Sequence, residues 1–339
     1  MIVGRTGEAL AAAGEALAIA RRLRLRDLEA HALCALGTTR VDAGDPGGVE
    51  DLETGMEVLA RLSSPETIYG YFHLAYAYAR LGDVVRAVAT VMAGHNAADR
   101  LGSVQLLRWM RFENVIGEFW LGLWDDVETA VGQAVAPDKA GGSHYLEVPC
   151  RVVRGLVRLA RGALDEALAD SEAALAMADA WGDGHTPAVA RAFRARALLA
   201  AGRRDQAAEL TGVLLEQLRP GLLEVTLGAD FGVTLVELGH AAEVLDGKSL
   251  APSRWLDALR ALLAGEEARA ADLYAEIGSR PDEALARLRA GRRLLDAGEP
   301  DQAREQLEVA VAFWREVRAA AYLAEAEPLL AAAGHRRFN

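Results

Sequence analysis

The stretch Gly155-Leu-Val-Arg-Leu-Ala-Arg-Gly162-Ala-Leu-Asp-Glu-Ala167 decides the fold. It reads as the end of one helix, a glycine stop, and the start of the next. Glycine tolerates the left-handed conformation that closes a helix C-terminus. Asp165 and Glu166 then occupy the first turn of the following helix, where the dipole favours negative charge. The same grammar surrounds Gly44, Gly82, Gly122, Gly202, Gly239, Gly265 and Gly298. The successive gaps are 38, 40, 40, 40, 37, 26 and 33 residues.

Five residues after each glycine stands Ala or Val; seven residues before it stands Gly, Ala or Val. Small residues flanking a glycine turn, eight times over, describe helical hairpins stacked side by side. Helix axes lie about 8–10 Å apart, and the near end of that range needs small side chains at the crossing. The spacing therefore predicts that the two small positions mark the closest approach of each hairpin's first (A) and second (B) helix. The expected fold is all-α: a right-handed superhelical solenoid of about eight helix-turn-helix repeats. One solenoid spans 1–339. The 26-residue unit puts a kink near 239–252, and a capping helix is expected over 319–333.

Composition agrees with this class. Apolar residues make up 52% of 339, led by the helix formers Ala and Leu. The net charge of −12 disfavours a nucleic-acid partner, which needs a basic footprint. No apolar run reaches the length of a membrane span. Cys34 and Cys150 read as reduced core residues. With no leader-like N-terminus, the expected location is the cytoplasm.

The turns Gly162–Ala167, Gly202–Ala207 and Gly298–Ala303 resemble the inter-helix turn of the tetratricopeptide (TPR) superfamily, in a longer-repeat form. The array also resembles the helical C-terminal region of large bacterial signalling ATPases, either LuxR-type regulators or the cyclase-linked kind. The tail from Val311 to Leu330 is similar to the end of the cyclase-linked type. The resemblance implies a sensor or scaffold arm serving an ATPase or cyclase module. The catalytic parts of such proteins are not matched here: Gly4-Arg-Thr-Gly7 lacks the lysine of a phosphate loop, and no DNA-reading motif follows the array.

Isolated candidates for chemistry read as ordinary structure. His31 and Cys34 share a helix face but lack two further ligands for zinc. Ser143 and His144 lack the third group that would place a base, and Asp183 and His185 read as turn residues. No catalytic residue, metal or cofactor is expected, and the protein is not expected to be an enzyme.

Two features point to binding. Tyr69 and Trp109 stand in register thirteen residues before their glycines, Tyr76 and Ile116 six before, and Arg80 and Trp120 two before. Aromatic groups on a concave groove would anchor a protein or peptide partner. A second column, Arg111, Arg151, Arg191, Arg254 and Arg287, is extended by Arg154, Arg158 and Arg194. It would hold an anionic segment by bidentate contacts, or else be satisfied by carboxylates of neighbouring B helices. The two faces lie on opposite sides of the core stripe, and only one of them can be fully concave. The expected function is a non-catalytic protein- or peptide-binding scaffold or sensor arm of a bacterial signalling or transcription-regulating system. The alternative is a small-ligand sensor with a metabolite enclosed in the groove.

Overall fold

In a computed structural model, residues 6–62, 66–135, 146–181, 186–217, 228–245 and 252–335 are described. Ser143, His144, Asp183, His185 and residues 246–251 of the expected kink fall outside them. Among the described residues there are eighteen helices and no strand.

The A helices are α2 (Arg26–Asp42), α4 (Thr67–Arg80), α6 (Val104–Leu121), α8 (Glu147–Arg161), α10 (Thr186–Ala200), α12 (Ala229–Leu238), α14 (Arg254–Leu263) and α16 (Arg280–Asp296). Each precedes a B helix: α3 (Gly48–Arg61), α5 (Val84–Arg100), α7 (Trp124–Ala134), α9 (Leu164–Trp181), α11 (Arg204–Gln217), α13 (Ala241–Leu245), α15 (Glu267–Ile277) and α17 (Pro300–Glu316). A leading helix, α1 (Thr6–Leu23), and a trailing one, α18 (Ala320–His335), complete the row. Consecutive helices pack on one another throughout, as in a superhelical solenoid.

The glycine stops behave as elementary sterics requires. All eight adopt φ between 73° and 87°, where a side chain would be strained. At Gly162 the following Ala163 N–H reaches back to the Arg158 carbonyl, closing the helix end. The starts of α5, α6 and α14 are capped by side chains, Asp83 accepting the Arg86 N–H, Ser103 the Leu106 N–H and Ser253 the Leu256 N–H.

The small residues seven before each glycine divide between two jobs. Gly37 and Gly291 lie against their own B helices: an added methyl would meet Leu52 and Leu307 at 2.8 and 2.5 Å. Gly155 and Gly232 instead admit a side chain of the next A helix, Phe193 and Leu262 respectively. The seam between A and B is therefore only part of the reason for the small residues. The other part is the close stacking of neighbouring A helices.

The row of helices also closes on itself. Trp255 at the start of α14 donates its indole N–H to the Ala79 carbonyl at the end of α4, 2.8 Å away. Helix α16 packs on α6, and α18 packs on α8. Each of these pairs is five units apart, so the superhelix completes one turn in five hairpins and the next turn rests on the first. The glycine edge of the first turn carries the contact. Gly82 lies against Arg254 and Ile277, and Gly122 against Phe313 and Val317. Arg280 bonds the Leu121 carbonyl, Arg161 bonds the Val317 carbonyl, and Arg318 pairs with Asp125. Trp124 packs edge-on against Phe313, with ring centres 5.7 Å apart.

Candidate functional site

Closing the superhelix leaves a lumen between its two turns. A cavity of about 160 Å³ lies there, roughly the size that an engineered protein cavity needs to hold one benzene ring. Its lining fixes which face of the first turn is concave. Positions thirteen before the glycine in units four and five, Pro149 and Val189, line it. So do the positions six before in units three to five: Ile116, Leu156 and Arg196. These are the registers of Tyr69 and Trp109, and of Tyr76. Trp120 lines the cavity directly. Of the aromatic column, Trp120 and Tyr76 line this cavity or a smaller neighbour, whereas Tyr69 and Trp109 share a register with Pro149 and Val189 but line neither.

From one end of that column to the other, the aromatic groups change from exposed to buried. Tyr69, near the start of α4, is 42% exposed and packs at a tilt against Trp109, ring centres 4.9 Å apart. Phe72 flanks Trp109 at 4.8 Å. Deeper in, the Tyr76 hydroxyl donates to Asp42 at 2.8 Å. Burial, with Asp42 beside it, pushes the Tyr76 phenol up. Arg80 is buried beside the same Asp42, 3.6 Å away. Trp120 is buried and meets Trp255 of the second turn at 5.6 Å.

A smaller cavity, about 60 Å³, shares Ile116 and Trp120 with the larger one and adds Tyr76, Glu113 and Asn114. Glu113 Oε1 is buried there without a hydrogen-bond partner. Burial pushes the Glu113 carboxyl up to about 7, while the nearby Trp109 indole pulls it down without reaching hydrogen-bond geometry. At the far side of the larger cavity stand Arg196, Asp230 and Asp282. Arg196 pairs with Asp230 at 3.0 Å, and the Tyr322 hydroxyl of α18 donates to the same carboxylate. Asp282 is buried and accepts from the Ala229 N–H at 2.6 Å and the Ser279 hydroxyl at 2.5 Å. Burial raises its carboxyl to about 6 against the pull of those two donors, with Asp230 adding to the rise.

Most of the arginine column is engaged by B-helix groups, whereas Arg111 pairs within its own helix, α6. Arg154 grips Asp170 of α9 through two hydrogen bonds, of 2.5 and 2.9 Å. Arg158 reaches the same carboxylate at 2.8 Å and also holds Glu128. Arg151 approaches Asp170 at 3.5 Å. Arg194 donates to the Leu168 carbonyl and the Ser171 hydroxyl, Arg191 pairs with Asp179, and Arg111 pairs with Glu118. Arg287 bridges Glu283, Asp272 and Gln306. A single buried carboxylate, Asp170, thus faces three guanidinium groups of α8, binding Arg154 and Arg158 closely while the Arg151 Nε stays buried without a partner.

Sequence reasoning passed over Arg196, although its place six before Gly202 put it in register with Tyr76 and Ile116. It also passed over Glu113, Asp230, Trp255, Asp282 and Tyr322. Asp230, Trp255 and Asp282, with Tyr322 bonded to Asp230, reach the lumen only once the second turn folds back, whereas Glu113 lines the smaller cavity among first-turn residues alone. Cys34 and Cys150 are buried free thiols, and no cluster of three metal-ligating side chains occurs among the described residues.

No family model matches the sequence, and no curated protein is similar to it. Among solved structures, the apo form of the quorum sensor NprR from B. thuringiensis aligns over 91% of this chain and 83% of its own, with a TM-score of 0.49 and 11% identity. A circular tandem repeat protein aligns over 96% and 88%, with a TM-score of 0.25 and 13% identity. At such scores the reading of this chain as a helical-repeat solenoid rests on its own helices and turns.

Proposed function

We propose that the protein is a non-catalytic recognition scaffold, the sensor arm of a signalling system, and that it binds through the aromatic wall of its lumen. The coincidence of register and void carries this reading. In support, the register of Tyr76 lines the two cavities through units two to five, and the register of Tyr69 and Trp109 lines the larger one at Pro149 and Val189, beside core residues such as Val152 and Ala192. A protein or peptide partner would meet Tyr69 and Trp109 first and seat one ring-sized side chain in the space beside Trp120. The likeness of the tail from Val311 to Leu330 to cyclase-linked arrays makes an ATPase or cyclase module the natural recipient of the signal.

A second reading is a free metabolite in the same cavity. It is favoured by the enclosure of Phe119, Trp120, Phe193 and Trp255 with Arg196 in one space.

The test is selection of short peptides on the wild-type chain by phage display, followed by affinity measurements on Val189→Trp. That substitution adds bulk at the half-buried cavity wall. Selected peptides should lose at least tenfold in affinity. Undiminished binding by a folded Val189→Trp protein would overturn the lumenal reading.

A further inference from the structure

The lumen carries more negative charge than its own cations neutralise. Arg196 is its guanidinium, and that charge is committed to Asp230 at 3.0 Å. Two carboxyls remain, one in each adjoining cavity. Glu113 lines the smaller one with Oε1 buried and unpartnered. Asp282 lines the larger one, held by one N–H and one hydroxyl, neither of which carries charge. A carboxylate offers about four acceptor sites, so Asp282 keeps capacity for another donor. Both titrate well above ordinary carboxylates, as expected where burial has no opposing charge to offset it.

Aromatic side chains stand among the lining of both cavities. Trp120 belongs to both cavities, with Tyr76 on one side of it and Phe119, Phe193, Phe231 and Trp255 on the other. Aromatic faces and a nearby uncompensated carboxylate are the two elements that attract an organic ammonium. The same arrangement repels an anion, and it gives a neutral guest nothing to neutralise.

Resting on the lumenal reading above, we propose that the lumen is a site for an organic cation: an ammonium carried on an apolar body of about one ring. The ammonium meets the Glu113 or Asp282 carboxylate, and the apolar body lies on Trp120.

The experiment compares three probes of matched shape on the full chain at pH 8: 2-phenylethylamine, 2-phenylethanol and 3-phenylpropanoate, each by calorimetric titration. The amine should bind at least tenfold more tightly than the alcohol, and the carboxylate should bind more weakly than either. Glu113→Gln and Asp282→Asn are titrated beside the wild type. The carboxylate that receives the ammonium should show a five- to twentyfold loss for the amine and less than a twofold change for the alcohol. Acetyl-Gly-Lys-Gly-amide separates the two sources of the group. Preference for the free amine assigns a metabolite, and preference for the peptide assigns a partner's lysine.

Alcohol or carboxylate binding as tightly as the amine would overturn the cation and leave the lumen standing. Amine affinity unchanged in both folded variants would do the same. Failure of every probe, the peptide included, up to 10 mM would also overturn the cation; the phage-selected peptides and Val189→Trp judge the lumen separately.

Discussion

Removing Trp255 tests whether the second superhelical turn truly rests on the first. This residue is 1% exposed, lies 5.6 Å from Trp120 and donates to the Ala79 carbonyl. A buried tryptophan removes up to about 250 Å² from water, and truncation to alanine in a core costs roughly 3–5 kcal/mol. The lost hydrogen bond adds little, because the Ala79 carbonyl also accepts the Gly82 N–H. At about 2.1 cal/mol/K per residue, the unfolding entropy of a 339-residue chain is near 0.7 kcal/mol/K, so about 4 kcal/mol lowers Tm by about 6 °C. Urea melts of Trp255→Ala, Trp120→Ala and the double variant complete a cycle. The coupling expected for a direct ring contact is about 0.5–1.5 kcal/mol. A Trp255→Ala cost under about 1 kcal/mol, or independent effects of the two truncations, would refute the stacked turns and the lumen with them.

Three further outcomes follow from the same geometry. The Glu113 carboxyl titrates near 7 in the folded chain against 4.5 when free, so its burial penalty is complete above pH 7 and fades as pH falls toward 4.5. Tyr76 and Cys150 face it from α4 and α8, and neither carries charge across this range. The wild type should therefore gain about 2 kcal/mol from this group between pH 8 and pH 5.5, and Glu113→Gln should abolish that gain in urea melts. An identical pH slope in the variant would refute the assignment. Gly155→Ala places a methyl 2.2 Å from the Phe193 ring and should cost about 1–3 kcal/mol, recovered in part by adding Phe193→Leu. A loss that the second substitution does not relieve would point to backbone effects instead. Asp170→Asn strips the counter-charge from buried Arg154 and should cost about 3–5 kcal/mol, read by thermal melts; a change under 1 kcal/mol would mean that the arginine column is satisfied by water.

The hairpins were legible because each one obeys local rules. A left-handed glycine, an acidic first turn and a small residue at a crossing all act within some twenty residues. Helix α9 begins and ends where its pattern does, at Leu164 and Trp181. The concave face was half legible: the registers of Tyr76 and Trp120 were visible, but their direction depended on how neighbouring A helices roll against one another. Gly155 and Gly232 set that roll by admitting Phe193 and Leu262, a contact between units that no single unit's pattern reveals. Of the lumen's polar end, only Arg196 was legible, through the register it shares with Tyr76 and Ile116. Arg196, Asp230 and Tyr322 meet across up to 126 residues, and nothing periodic in the sequence marks residues that become neighbours only after a full turn.

A row of hairpins touching only nearest neighbours can fray from either end and nucleate anywhere along its length. Here the bond from Trp255 to Ala79 spans 176 residues, and the pairing of Arg318 with Asp125 spans 193. Such clasps raise the contact order, so acquisition of the native state should be slow compared with an open array of equal length. They also tie the early units to the late ones, so that loss of α14 would loosen α4 far upstream. An elongated polymer-like scaffold should thereby acquire the all-or-none melting of a globule.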